Sequence, residues 1–229
     1  MALKQNSVER DIRSLLAVPG LKTLVSVYFH GLLDREGRLK TDFAGHLFDS
    51  LPDNPPDRVV ASDLVAVTLL DVRFGRRATD ALLNRGCLDD YLALDKLPAD
   101  HDLWSATEDC IGNLYSAHKV LDDLHGVGPV KASKLLARKR PRLAPITDSH
   151  VENFFGCFGW EFLIPMSLCL SASEELRDAI NDLCPDLTQL NSAPSTLRLL
   201  DVAIWMTRSR AKSAADGREV ALGRREPLG

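Results

Sequence analysis

The residues best placed to do chemistry are Leu124-His125-Gly126-Val127-Gly128-Pro129-Val130-Lys131-Ala132 and, twenty positions past Gly128, Asp148-Ser149-His150-Val151. Two glycines around one apolar residue, followed by a proline at a first helical position, predict a tight turn opening a helix. Such a turn leaves backbone N–H groups pointing outward, which suits a phosphate. Gly126 and Gly128 have separable jobs there: one takes a positive φ, the other lets a phosphate approach the backbone, and Val127 packs beneath. A purely structural turn is the alternative for the same residues. Asp148 also has two readings. It is a good N-cap, accepting from the N–H of His150 or Val151. It is equally a carboxylate at the mouth of a groove, able to steady positive charge or orient a water during glycosidic cleavage, where the transition state is oxocarbenium-like. The two are compatible, because a capping Asp can present its second oxygen to a ligand. His125 and His150 read as packed or surface residues, and Phe154, Phe155, Phe158 and Trp160 as core.

These motifs must be held by helices. Ser7 to Leu16 reads as a short N-capped helix stopped by Pro19-Gly20, and the apolar 21–33 as a helix or a strand, with helix preferred, followed by a turn at 34–37. A short helix at 43–51 precedes Pro52-Asp53-Asn54-Pro55-Pro56, a strong breaker and the best boundary in the first half. Ser62 is expected to cap a nearly all-apolar helix through Val72, the kind that sits at the centre of a core. Further helices are expected at 78–85 (stopping at Gly86), 89–96, 104–113, 116–124, 129–139, 149–158, 173–184 and 195–212. The expected fold class is all-α and two-lobed: 62–148 forms a helical bundle containing a helix-hairpin-helix at about 116–139, and 1–58 with 149–212 forms the second lobe. The tail 213–229 reads as loose.

Composition bounds the partners. At 229 residues, 45% hydrophobic and 26% charged, the chain has the make-up of a globular domain. No apolar run approaches the roughly 18 residues of a membrane span, and Met1 to Arg13 lacks a signal-peptide core, so a cytoplasmic protein without a membrane partner is expected. The five cysteines (Cys87, Cys110, Cys157, Cys169, Cys184) form no CxxC pair, so no metal and no cofactor is expected, only reduced, mostly buried thiols. Lys131, Lys134, Arg138, Lys139, Arg140 and Arg142 give the window from Gly126 to Arg142 +6 with no acid, leaving −10 for the rest of a chain whose total is −4. Lys131, Lys134 and Arg138 fall at i, i+3 and i+7 on one helix face. That stripe reads either as a track for the backbone of double-stranded DNA or as a solvated face. The C-terminal segment from Ile204 to Arg225 carries +4 and has no assigned role.

The two motifs together resemble the helix-hairpin-helix DNA glycosylase superfamily, which includes endonuclease III. The 124–132 stretch resembles the family's hairpin, Leu-x-Gly-Val-Gly-x-x-x-Ala, and Asp148-Ser149-His150-Val151 its Asp-Thr-His-Val, with Asp148 on the catalytic aspartate. Asp63-Leu64-Val65-Ala66-Val67-Thr68-Leu69-Leu70 resembles its central buried helix. The likeness runs from Ser62 to Phe158. The run Leu-Leu-Ala-Arg-Lys-Arg-Pro-Arg-Leu is also similar to an uncharacterised bacterial family with the same core. The glycosylase resemblance implies DNA binding through Gly126, Val127, Gly128, Lys131, Lys134 and Arg138, and base excision with Asp148 as catalytic group. The chain departs from it in three places. The Schiff-base lysine position is Val130, the position of the family's glutamine after the central helix is Arg73, and the four-cysteine iron–sulfur loop is absent. The implied enzyme is therefore monofunctional, flipping a base and hydrolysing its N-glycosidic bond with an Asp-assisted water. A non-catalytic DNA-binding module or a helical interaction protein on the same scaffold is the alternative.

Overall fold

The structure, a computed structural model, describes residues 5–33, 39–41, 43–84, 92–186 and 193–224. The fold is all-α. The described helices are α1 (Gln5–Leu16), α2 (Leu21–His30), α3 (Ala61–Thr68), α4 (Arg76–Leu83), α5 (Glu108–Asp122), α6 (Gly128–Lys139), α7 (Ser149–Phe155), α8 (Leu163–Ala172), α9 (Glu174–Asn181), α10 (Thr196–Arg208) and α11 (Lys212–Ala221). Three single-turn 3₁₀ segments and one antiparallel ladder, Leu32–Leu33 with Leu39–Thr41, complete the described residues.

Four helix starts follow from side-chain chemistry. Thr107, Asp148, Ser173 and Ser195 each accept a backbone N–H two or three residues on, so α5, α7, α9 and α10 begin where an oxygen can satisfy an orphan donor. Other expectations shift. Ser62 does not cap α3. Val60 holds that position and its N–H donates to the Asp63 carboxylate at 2.8 Å. The helix stops at Thr68, and Asp71 turns the chain with φ 58°. The expected 104–113 and 116–124 helices are one helix, because Gly112 costs a helix interior only about 1 kcal/mol and nothing crowds it. The 43–51 segment is a 3₁₀ turn at Ala44–Phe48. Residues 163–172, unassigned in the sequence reading, form α8, whose apolar residues occupy both buried and exposed faces and so give no amphipathic signal. The tail is not loose throughout, since 212–221 is helical. The turn at 34–37, Gly86, Cys87 and the start of the 89–96 helix lie outside the described residues.

Helix α6 packs against α3 and α5, while α2 packs against α10 and α11, α1 against α8, and α7 against α10. The buried apolar side chains form one continuous cluster. Close approaches fix the N-terminal helices. A Cβ at Gly45 would collide with the Tyr28 hydroxyl, and one at Gly20 with the Ala221 carbonyl. Among the described residues no single helix is long and apolar enough to cross a membrane.

Candidate functional site

The basic stripe of α6 faces inward. Lys134, Arg138, Lys139 and Arg140 are only 6%, 3%, 4% and 2% exposed. The expectation that Lys134 and Arg138 line a solvent-facing track is therefore corrected. The cause lies in the irregular segments around α6. Stretches 48–56 and 94–97 carry backbone carbonyls with few regular secondary-structure partners, and buried carbonyls must be paired. The long side chains of α6 supply the donors. Arg138 donates to the carbonyls of Phe48 and Leu51, Lys139 to Pro55 and the Asn54 side chain, and Arg140 to Pro56, Leu94 and Leu97. Asp63, fully buried on α3, is the counter-charge, ion-paired to Lys139 and 3.6 Å from the Arg138 Nε. Burial pushes the Lys139 ammonium down while Asp63 pulls it back. Arg142 is exposed and paired with Asp102. Most of the +6 window is thus internal fastening.

The expected glycine turn is present, but both of its glycines, rather than one, take a positive φ. Gly126 and Gly128 take φ values of 85° and 74°, and Val127 is buried beneath them. Space does not demand either glycine, since a Cβ at Gly126 would meet only the Ala78 Cβ at 3.6 Å and one at Gly128 nothing within 4 Å. The left-handed backbone demands them. Helix α6 starts without a side-chain cap and with Pro129 near its start, so the Gly128 and Val130 amides are left as donors. Gly126 is exposed and Gly128 half-buried. Lys131 folds back, its Nζ donating to the Gly126 carbonyl at 2.6 Å and sitting 5.8 Å over the Phe74 ring. The free cations beside the turn come from α4 and the segment before it, which the sequence reading did not single out for binding. Arg73, Arg76 and Arg77 are exposed, and the Arg77 Nη1 lies 3.4 Å from the His125 Nε2. Tertiary packing brings them there, as the Arg77–His125 contact between residues 48 apart in sequence shows.

Asp148 caps α7 and also lines a cavity. Its Oδ1 accepts from His150 N at 2.9 Å and Val151 N at 3.2 Å, capping α7. Its Oδ2 is 4.0 Å from the Lys134 Nζ, and the residue lines a cavity of about 450 Å³, within the range of small-ligand sites. Tyr28, Phe43 and Trp205 give this cavity aromatic walls, and Lys134, Asp71, His150, Arg198 and Asp201 give it charge and polarity. Lys134 donates to the Leu70 carbonyl at 2.7 Å. Burial lowers its pKa, opposed by Asp148 and Asp201.

Arg198 organises the cavity's far side. Buried on α10, it donates to Asp49 at 2.9 Å, to Asp201 at 2.5 Å, and to both the Tyr28 hydroxyl and the Gly45 carbonyl at 2.9 Å. Burial raises Tyr28 to about 12 despite this cation. Asp201 is pushed up to about 6, by burial first and by the Asp148 charge, against the pull of Arg198 and Lys134. Neither Arg198 nor Asp201 stands out in the sequence. An Arg-x-x-Asp spacing inside an amphipathic helix reads as an ordinary surface pair, and only folding turns it inward. The aromatic group divides: Phe155 and Trp160 are buried and Phe154 half-buried, but Phe158 is 81% exposed on a loop between left-handed Gly156 and Gly159.

A second cavity, of about 470 Å³, lies beside Trp104 and the Arg142–Asp102 pair and gathers none of the predicted catalytic residues. Cys110, Cys157 and Cys169 are buried and free, and Cys184 is free and half-buried. Among the described residues no cluster of three His, Cys, Asp or Glu could hold a metal. A family model described as "Family of unknown function (DUF6308)" matches residues 22–208. No curated protein and no solved structure matches the chain.

Proposed function

The chain belongs to the DUF6308 family, and from its geometry we propose a helix-hairpin-helix DNA-binding protein that accepts a flipped nucleotide in the Asp148 cavity and hydrolyses its N-glycosidic bond. The observation that carries this reading is the division of labour on one carboxylate. Asp148 lines the cavity, with Oδ1 fixed by two backbone N–H groups and Oδ2 4.0 Å from an ammonium. A carboxylate so anchored cannot swing away from a cation developing beside it, which is what an oxocarbenium-like transition state requires. Aromatic walls suit an unstacked base. The open hairpin amides with Arg73, Arg76 and Arg77 form the phosphate-binding edge, replacing the buried Lys134 and Arg138.

In this reading Lys134 holds Asp148 in place, Trp205 and Tyr28 flank the base, and a water attacks the sugar carbon. The test is base release from a panel of damaged duplexes. Wild type is expected to release a base, and Asp148→Asn to lose at least about a hundredfold in rate, the scale of one lost electrostatic group, with its melting temperature measured in parallel because the amide keeps the capping oxygen. Equal inertness of the two proteins refutes hydrolysis. One observation favours a non-catalytic DNA-binding module instead: capping α7 is by itself a sufficient structural reason for Asp148.

A further inference from the structure

The cavity holds a second carboxylate that the hydrolytic reading leaves unused. Asp201 is 11% exposed at its side chain, lines the same cavity as Asp148, and has its Oδ2 fixed by the Arg198 guanidinium at 2.5 Å. Arg198 is in turn held by Asp49, the Tyr28 hydroxyl and the Gly45 carbonyl, so Asp201 sits on a rigid frame. The two carboxylates lie in contrasting settings. Asp148 receives two backbone N–H bonds and its Oδ2 stands 4.0 Å from the Lys134 ammonium. Asp201 is more deeply buried and shares the cavity with the Asp148 charge, and it is raised to about 6. Two carboxyl groups lining one cavity, one beside an ammonium and the other more deeply buried and ready to carry a proton, are the arrangement that acid-assisted bond cleavage uses. The charged and titratable groups around Asp201 are Arg198 on its own helix, Lys134 from α6, Asp148 and His150 at the start of α7, Tyr28 from α2, Asp71 from the turn after α3 and Asp49 after the Phe48 turn.

We infer that Asp201 is the proton donor to the departing base in the Asp148 cavity, with Arg198 as its positioning residue. The inference rests on the hydrolytic reading above. In the step, the bond between sugar C1′ and the base nitrogen breaks and its electron pair goes to the base. The base takes the Asp201 proton, directly or at another ring atom. Water adds to C1′ and gives its proton to Asp148, and solvent exchange returns both carboxyls to their starting states. No redox partner is needed.

A proton donor matters most for a neutral base that leaves poorly and least for one already cationic. The experiment is single-turnover release of a neutral damaged base and of N7-methylguanine from duplexes, by wild type, Asp201→Asn and Asp148→Asn, between pH 5 and 9. The expected result is that Asp201→Asn slows neutral-base release about 10²–10⁴-fold, the contribution of one general acid, and abolishes the fall in wild-type rate at alkaline pH. Loss on N7-methylguanine should stay below about tenfold. Equal losses on both bases with the alkaline fall retained overturn the role of Asp201 and leave the hydrolytic reading standing. Wild type inert on every duplex overturns both. Should Asp201→Asn fail to fold, carboxyl-carbon NMR titration of wild type serves: an Asp201 that titrates with the ordinary aspartates, near 4, overturns the proposal.

Discussion

At the residue scale, the cluster of Asp63 with Lys139 and Arg138 shows how burial changes the meaning of a charge. Removing one partner of a buried pair leaves an uncompensated charge and costs about 3–5 kcal/mol. Asp63→Asn should lower unfolding free energy by that amount in urea titration. Arg138→Glu should do at least as much, because it places a second carboxylate beside Asp63 and strips the Phe48 and Leu51 carbonyls of their donor. The residue chemistry of 126–142 announced cations, and correctly; it could not say that their stems would run under the chain, since a lysine on a helix face has the same sequence signature in solvent and beneath a loop. Asp201 yields a pH dependence. Its folded-state pKa, about 6, lies above that of the unfolded chain, so the folded state holds the proton more tightly. The stabilisation from this group is complete below the unfolded value, near 4, and is lost as pH rises through about 6. The melting temperature of wild type relative to Asp201→Asn should therefore fall between pH 4 and pH 7.

At the scale of elements, the hairpin is the part that sequence made legible. The glycines, proline and buried valine of 126–130 each have a local reason to be there, and local reasons survive folding. Its electrostatics are another matter. The exposed cations beside the turn belong to α4 and the turn before it, brought there by tertiary packing. If the hairpin edge binds a phosphate backbone, Arg76→Glu with Arg77→Glu should weaken duplex binding. It should also reduce the slope of log affinity against log salt by about 2, near 0.9 for each phosphate contact. The double variant should melt like wild type, because both side chains are exposed. An unchanged slope refutes the hairpin edge as the binding surface. The missed helix α8 and the fused α5 have different causes: apolar residues on both sides of α8 carry no period, whereas α5 runs through a glycine that a helix interior tolerates.

At the scale of the whole molecule, the C-terminal helix is a structural member. A stretch rich in Ala, Gly and charge has weak local preferences, yet α11 lies on α2 so closely that a Cβ at Gly217 would crowd Met206, Leu24 and Val27 at 3.0–3.4 Å. Ending the chain at residue 211 should expose those side chains and lower the melting temperature by several degrees, at roughly 25 cal/mol per Å² of apolar surface; an unchanged melt refutes that assignment. The sequence by itself determined the helical class, most helix starts, the geometry of the glycine turn and the capping of α7 by Asp148, because each depends on residues within four or five positions of one another. The direction of the α6 cations, the Arg198 frame, the pairing of Asp148 with Lys134 and Asp201, and the cavity between them were decided only by tertiary structure. They join residues from 14 to 170 positions apart, and no local pattern encodes which buried carbonyl or carboxylate a long side chain will meet.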